Sequence, residues 1–302
     1  MTRTGAYLRL MRPANIITAI ADIALGFAAA GALLSSPFWA DGNISLAAFK
    51  LLWLILATVG LYGGGVVFND VFDAALDRVE RPERPIPSGV ATVGGASALG
   101  AILLTGGILA AWQVSDLSAI LALVVALLAL LYDWKGKHHP VLGPINMGAC
   151  RGGNLLLGVS AVPLAVSHFW FLSLIPIVYI SAITMISRGE VHGGNAAALK
   201  GAMALYALVI AAIASLVLLP DFNVWYCLPF LLLFAFLIFP PLFKALPTRQ
   251  PALVGKAVKA GILALIVMDA SIAAGFAGWQ YGLAVLLLLP VSIFVARSFA
   301  VT

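Results

Sequence analysis

The chain has 302 residues, is 63% hydrophobic and only 10% charged, and carries a formal net charge of +5 with a mean hydropathy of +1.08. Soluble domains carry about 25% charged residues, so this composition excludes a soluble enzyme or binding module and points to a polytopic membrane protein. The positive balance comes from cations placed between apolar spans, and no basic patch with interleaved aromatics implies a nucleic-acid partner.

Apolar stretches long enough to cross a bilayer lie at 14–34, 46–69, 92–113, 116–132, 143–165, 168–187, 197–219, 224–243, 257–277 and 280–298. Only Gln113 to Asp116 separate the third from the fourth, which predicts a tight helical hairpin and a count of nine or ten spans. The first stretch follows Arg3, Arg9 and Arg12 and is long enough to stay as an uncleaved helix. Lys and Arg crowd the connections on one side of this arrangement, while the other side holds only Lys50. The N-terminus and those connections are therefore expected to be cytoplasmic, in a bacterial inner membrane. Cys150 and Cys227 both fall within spans, which argues against a structural disulfide.

The second stretch ends in Asn69-Asp70-Val71-Phe72-Asp73-Ala74-Ala75-Leu76-Asp77. Offsets of three, four and seven place Asp70, Asp73 and Asp77 on one helical face. Carboxylates about 6 Å apart repel by roughly 3 kcal/mol per pair at an effective dielectric near 20, so the three need protons or a cation. An all-oxygen set suits Mg²⁺, which completes its shell with water and substrate phosphates. The same spacing also fits a solvated acidic helix end. The chain continues through Arg78, Arg81 and Arg84 into Pro82, Pro85 and Pro87. The prolines impose extended or turn geometry, and the arginines offer fixed cations to a diphosphate or to lipid headgroups.

At the end of the fourth stretch, Tyr132-Asp133-Trp134-Lys135-Gly136-Lys137 brings Lys135 and Lys137 within reach of a phosphate, and the Tyr132 ring within reach of a developing cation. The adjacent His138 and His139 lack partners at zinc spacing. Arg151 and Asn154 lie inside the fifth stretch, where an ionisable group is costly and is by default a site candidate. With Asn15 and Asn146 they either hold polar groups of an acceptor or tie helices together. Asp22 and Asp269 are also intramembrane, and each is expected to pair with a helix neighbour. Between the sixth and seventh stretches runs Ser187-Arg188-Gly189-Glu190-Val191-His192-Gly193-Gly194-Asn195. Glu190 is an anion flanked by Arg188 and His192 as phosphate donors. His192 reads equally as a general base, a metal ligand or a hydrogen-bonded structural group.

Arg12-Pro13-Ala14-Asn15, the Asn69 to Asp77 run and the Arg81-Pro82-Glu83-Arg84-Pro85-Ile86-Pro87-Ser88-Gly89 tail together resemble the UbiA superfamily of intramembrane prenyltransferases over nearly the whole chain. That resemblance implies an all-α bundle of nine to ten transmembrane helices, one domain over residues 1–302, around a cavity open to lipid. It implies Mg²⁺ as cofactor, an isoprenyl diphosphate donor, an acceptor left unidentified, and membrane lipid as surroundings. By the same resemblance Asn69, Asp70, Asp73 and Asp77 bind the metal, and Asp70, Asp73, Asp77 and Glu190 are the catalytic carboxylates. Asn69, Arg78, Arg84, Lys135, Lys137, Arg188 and His192 take up the diphosphate, while Asn15, Arg151 and Asn154 face the acceptor. The second loop departs from the family's second aspartate-rich motif by offering only Glu190, and its wording resembles the EboC-type subgroup. A membrane transporter or flippase, or an isoprenoid-binding member without turnover, are the rival classes; neither explains the Asn69 to Asp77 run as directly.

Overall fold

The computed structural model describes residues 2–32, 39–40, 43–189 and 193–297. Its helices are α1 (Arg3–Leu10), α2 (Pro13–Ala29), α3 (Leu46–Phe72), α4 (Ala74–Glu80), α5 (Val93–Trp112), α6 (Asp116–Trp134), α7 (Leu142–Val159), α8 (Pro163–Phe169), α9 (Leu174–Ser187), α10 (Ala196–Ser215), α11 (Val224–Thr248), α12 (Pro251–Ala277), α13 (Trp279–Leu286) and α14 (Leu288–Ala296). The all-α architecture expected from the sequence is what is observed; a two-residue antiparallel pairing of Trp39–Ala40 with Asn43–Ile44 is a minor addition.

Helix starts follow local chemistry. The side chains of Ser45, Thr92, Ser115, Asn195 and Asn223 accept from backbone N–H groups in the first turns of α3, α5, α6, α10 and α11. Pro13, Pro163 and Pro251 open α2, α8 and α12, where a missing N–H costs nothing. A residue before proline is pushed out of the right-handed helical region. Arg12 answers by adopting φ 49°, so the chain turns between α1 and α2 and the Arg12 side chain leaves the helix stack.

Among the described residues, nine segments are long and apolar enough to cross a bilayer. The expected break at residues 113–116 is present and leaves α5 and α6 as separate spans. The segment that falls outside the nine is α7, where Arg151, Asn154 and several glycines dilute the apolar character. α7 nevertheless packs against α2, α6 and α9 within the bundle. Its close seam with α2 depends on Gly26 and Gly158, since a Cβ at either would run into backbone of the other helix. The last stretch is interrupted at Leu287, three residues before Pro290, which cannot donate the next helical hydrogen bond.

The largest buried cluster lies among α2, α7 and the helices from α9 to α13, and a second lies between α3, α5, α6 and α7. A third packs Ala6 and Leu10 of α1 and Val67 of α3 against Ile86 and Ala91 of the proline-rich loop. This small cluster anchors the loop, and so sets where Arg84 can reach.

Candidate functional site

α3 ends at Phe72, and Asp73 forms the joint with α4 at φ −86°, ψ 0°. The joint turns the expected single helical face into two short tiers. Asp70 accepts from Arg12 Nη2 at 2.8 Å and from Arg84 Nη1 at 3.3 Å, and the same Arg84 nitrogen donates to Asp77 at 2.7 Å. Asp73 is paired instead with Lys137 Nζ. Asn69 Nδ2 donates to Asp133 Oδ1 at 2.8 Å. Asp70, Asp77 and Asp133 are all buried. Three like charges on one short stretch thus separate by taking cations between them, as electrostatics requires of buried carboxylates.

The loop that delivers Arg84 is held by backbone bonds from Ser88 to Arg84, Gly89 to Ile86 and Ala91 to Pro85. Gly89 sits at φ +76°, a conformation that a side chain would strain. The turn after α6 works similarly: a short helical turn over Gly136–His138 reverses the chain, so Lys137 points inward while Lys135 lies over the Trp134 ring, 4.3 Å from its centre.

These groups rim a cavity of about 430 Å³, a size usual for small-ligand sites. Arg12, Asn69, Asp73, Asp77, Glu80, Arg81, Arg84, Tyr132, Asp133 and Lys137 line its mouth; Leu61, Val66, Val125, Ala129, Ile180, Ile183, Val258, Ile262 and Leu265 supply apolar walls. Asn15, Thr18, Thr58, Tyr62, Arg151 and Asn154 form a further polar lining. Arg151 is bound to Asp22 through Nε at 3.0 Å and Nη2 at 3.1 Å, and Asn154 donates to Asp22 at 2.9 Å and to the Ala19 carbonyl at 2.8 Å.

The structure therefore gathers Asn15, Asn69, Asp73, Asp77, Arg84, Lys137, Arg151 and Asn154 at one cavity, with Asp70 locked behind the rim. Arg78 and Lys135 do not line it, and the exposed Arg188 donates to the His139 carbonyl at 2.9 Å beside a separate recess. Arg78 is exposed on α4. Glu190 and His192 lie outside the described residues. Arg12, Asp133, Thr58 and Tyr62 are cavity or rim residues to which sequence reasoning assigned no role. Asp133 had the same signal as Asp70, a carboxylate at the end of an apolar span.

Among the described residues, no three His, Cys, Asp or Glu side chains stand together as a ready metal cage, because Arg12, Arg84 and Lys137 stand between the carboxylates. The donors nonetheless fit Mg²⁺ in kind. The ion needs one or two carboxylates and takes other oxygens from water and phosphate, and Asn69, Asp73 and Asp77 present oxygens at the cavity mouth.

The sequence model of the UbiA prenyltransferase family matches residues 24–251. The chain is 33% identical over 154 residues to the digeranylgeranylglyceryl phosphate synthase of Methanoculleus marisnigri, covering 51% of this chain and 50% of that one. It is 29% identical over 222 residues to the synthase of the same name from Methanopyrus kandleri, covering 71% and 77%. The chain spans about half the length of most of the curated relatives it matches. Among solved structures, a UbiA homologue from Archaeoglobus fulgidus bound to DMAPP and Mg²⁺ superposes with a TM-score of 0.64 at 17% identity, covering 93% of this chain and 99% of that one. A structure concerned with digeranylgeranylglyceryl phosphate synthase in membranes gives 0.66 at 23% identity, covering 92% and 99%. These relatives do not carry the name of the EboC-type subgroup. On the family match and its helical spans, this is an integral membrane protein that belongs to the UbiA prenyltransferase family.

Proposed function

We propose that the chain is a Mg²⁺-dependent intramembrane prenyltransferase that moves an isoprenyl group from an allylic diphosphate to a hydroxyl-bearing acceptor of the glyceryl phosphate class. The observation that carries this reading is the rim itself, where Asp73 and Asp77 alternate with Lys137 and Arg84 at the mouth of an otherwise apolar cavity. The names of the archaeal relatives support the glyceryl phosphate acceptor, and the neighbour bound to DMAPP and Mg²⁺ supports the class of donor.

Asn69, Asp70, Asp73 and Asp77 would hold the metal, which would supply positive charge to the departing diphosphate. Arg84 and Lys137 turn from carboxylate to phosphate oxygens when the donor enters, each exchange replacing one charged hydrogen bond by another. The bond between the allylic carbon and diphosphate oxygen breaks, its electron pair leaves with the diphosphate, and the acceptor oxygen forms the new C–O bond as it loses its proton. Apolar walls exclude water from the allylic cation, and the Tyr62 and Tyr132 rings offer it a negative face. Asn15, Arg151 and Asn154 belong to the acceptor's side of the cavity. Arg78, Lys135 and Arg188 take no direct part in this arrangement; Glu190 and His192 stay in the proposed site on their sequence pattern alone.

The crowding of Lys and Arg on one side supports a cytoplasmic rim. The relatives named above are archaeal, so the bacterial setting expected from sequence gains no support from them. Asp70→Ala and Asp73→Ala are expected to abolish Mg²⁺-dependent consumption of an allylic diphosphate by membranes containing the protein, with insertion intact. Unchanged turnover would reject the site.

A further inference from the structure

The cavity has a second polar end that donor chemistry leaves unused. Thr58 lies three helical turns before Asn69 on α3, roughly 16 Å deeper by the rise of an α-helix. It is fully buried, lines the cavity, and its hydroxyl has no hydrogen-bond partner among the described residues. Helical serines and threonines usually return the hydroxyl to a carbonyl one turn back. Thr18, Ser160 and Ser271 do so in this chain; Thr58 does not.

Arg151 and Asn154 line the same cavity, but most of their N–H groups are already committed, Arg151 Nε being ion-paired with Asp22 without a hydrogen bond. The Arg151 guanidinium binds Asp22 at 3.0 and 3.1 Å and the Thr18 carbonyl at 3.0 Å. Asn154 gives its amide N–H groups to Asp22 and the Ala19 carbonyl, leaving its own oxygen as an acceptor. Asp269 is fully buried on α12, and neither of its carboxyl oxygens has a hydrogen-bond partner among the described residues. The Arg151 charge is therefore matched by the Asp22 carboxyl, and this end of the cavity has no surplus positive charge.

We infer that this end is a subsite for an uncharged hydroxyl or carbonyl group of the second substrate, with Thr58 as its specificity-determining contact. The inference rests on the reading of the cavity as a prenyl-transfer site that also admits an acceptor. A hydroxyl can accept from Thr58 and donate to the Asn154 oxygen, so both protein groups are satisfied without any change in charge. A phosphate would meet a cation already matched by carboxylates, in the membrane interior where unpaired charge is disfavoured.

The test uses the full-length protein in detergent and three probes: a long-chain alkylglycerol, the corresponding alkylglycerol phosphate, and inorganic diphosphate with Mg²⁺. Thr58→Val is expected to weaken alkylglycerol binding roughly five- to tenfold, the loss of one neutral hydrogen bond. Thr58→Ser should restore most of it, and diphosphate affinity should not move. Saturating the rim with Mg²⁺ and diphosphate should spare binding of the neutral probe. Wild-type affinity of Thr58→Val for alkylglycerol would overturn the inference, as would a phosphate probe that still binds tighter than the neutral one at a saturated rim. Thr58-dependent alkylglycerol binding by a protein that ignores Mg²⁺ and diphosphate would support the subsite while sinking the donor assignment.

Discussion

Lys137 meets Asp73 across sixty-four residues of chain, joining the turn after α6 to the joint between α3 and α4. Both side chains are partly open to the cavity mouth, at 13% and 20% exposure. Donor entry exchanges that largely buried ion pair for a charged hydrogen bond to phosphate, worth about 1.5–3 kcal/mol. Lys137→Met should therefore weaken binding of inorganic diphosphate with Mg²⁺ by roughly ten- to a hundredfold. A titration that shows equal affinity would remove Lys137 from the donor site.

Arg84 stands between two buried carboxylates that would otherwise face each other. Removing one partner of a buried ion pair typically costs about 3–5 kcal/mol. Arg84→Gln should accordingly lower the melting temperature of the detergent-solubilised protein, and Mg²⁺ should restore part of the loss by taking the vacated place between Asp70 and Asp77. The wild type, with its cation already there, should respond less. Equal Mg²⁺ responses in both proteins would mean that these carboxylates do not share an ion.

The bundle was readable from the sequence because bilayer-length apolar runs leave the chain few alternatives. The acidic run was readable for the converse reason, since charge at the end of such a segment demands a partner. Which partner it takes was less accessible. Asp70 finds Arg12 across a left-handed turn at Arg12, just before Pro13, and Lys137 supplants Lys135 because a short helical turn intervenes. Asp22 with Arg151 could be foreseen as two costly residues in need of company, but their contact across α2 and α7 depends on a glycine seam that spacing alone does not reveal.

That pair allows fold and function to be separated. Asp22→Asn leaves Arg151 as an uncompensated buried cation and should destabilise the protein by about 3–5 kcal/mol. Replacing both groups with apolar side chains of similar volume, as in Asp22→Leu with Arg151→Met, should recover most of that loss. If Arg151 and the groups it orders serve the acceptor, the double variant will melt near the wild type, still bind Mg²⁺ and diphosphate, and fail to transfer the prenyl group. A double variant with normal turnover would reduce the pair to a helix-packing device.

Ser88 offers the most direct check of orientation. It is exposed on the loop that carries Arg84 to the carboxylates proposed to hold the metal. The native thiols interfere little, because Cys227 is buried and Cys150 faces the cavity, and both can be replaced by Ala before the experiment. The Lys and Arg distribution predicts that this loop faces the cytoplasm. A cysteine introduced by Ser88→Cys should therefore resist a membrane-impermeant thiol reagent added to intact cells and react once the membrane is opened. Prompt labelling of intact cells would put the diphosphate-binding rim on the outer face, where Mg²⁺ and an intracellular isoprenyl diphosphate could not both reach it.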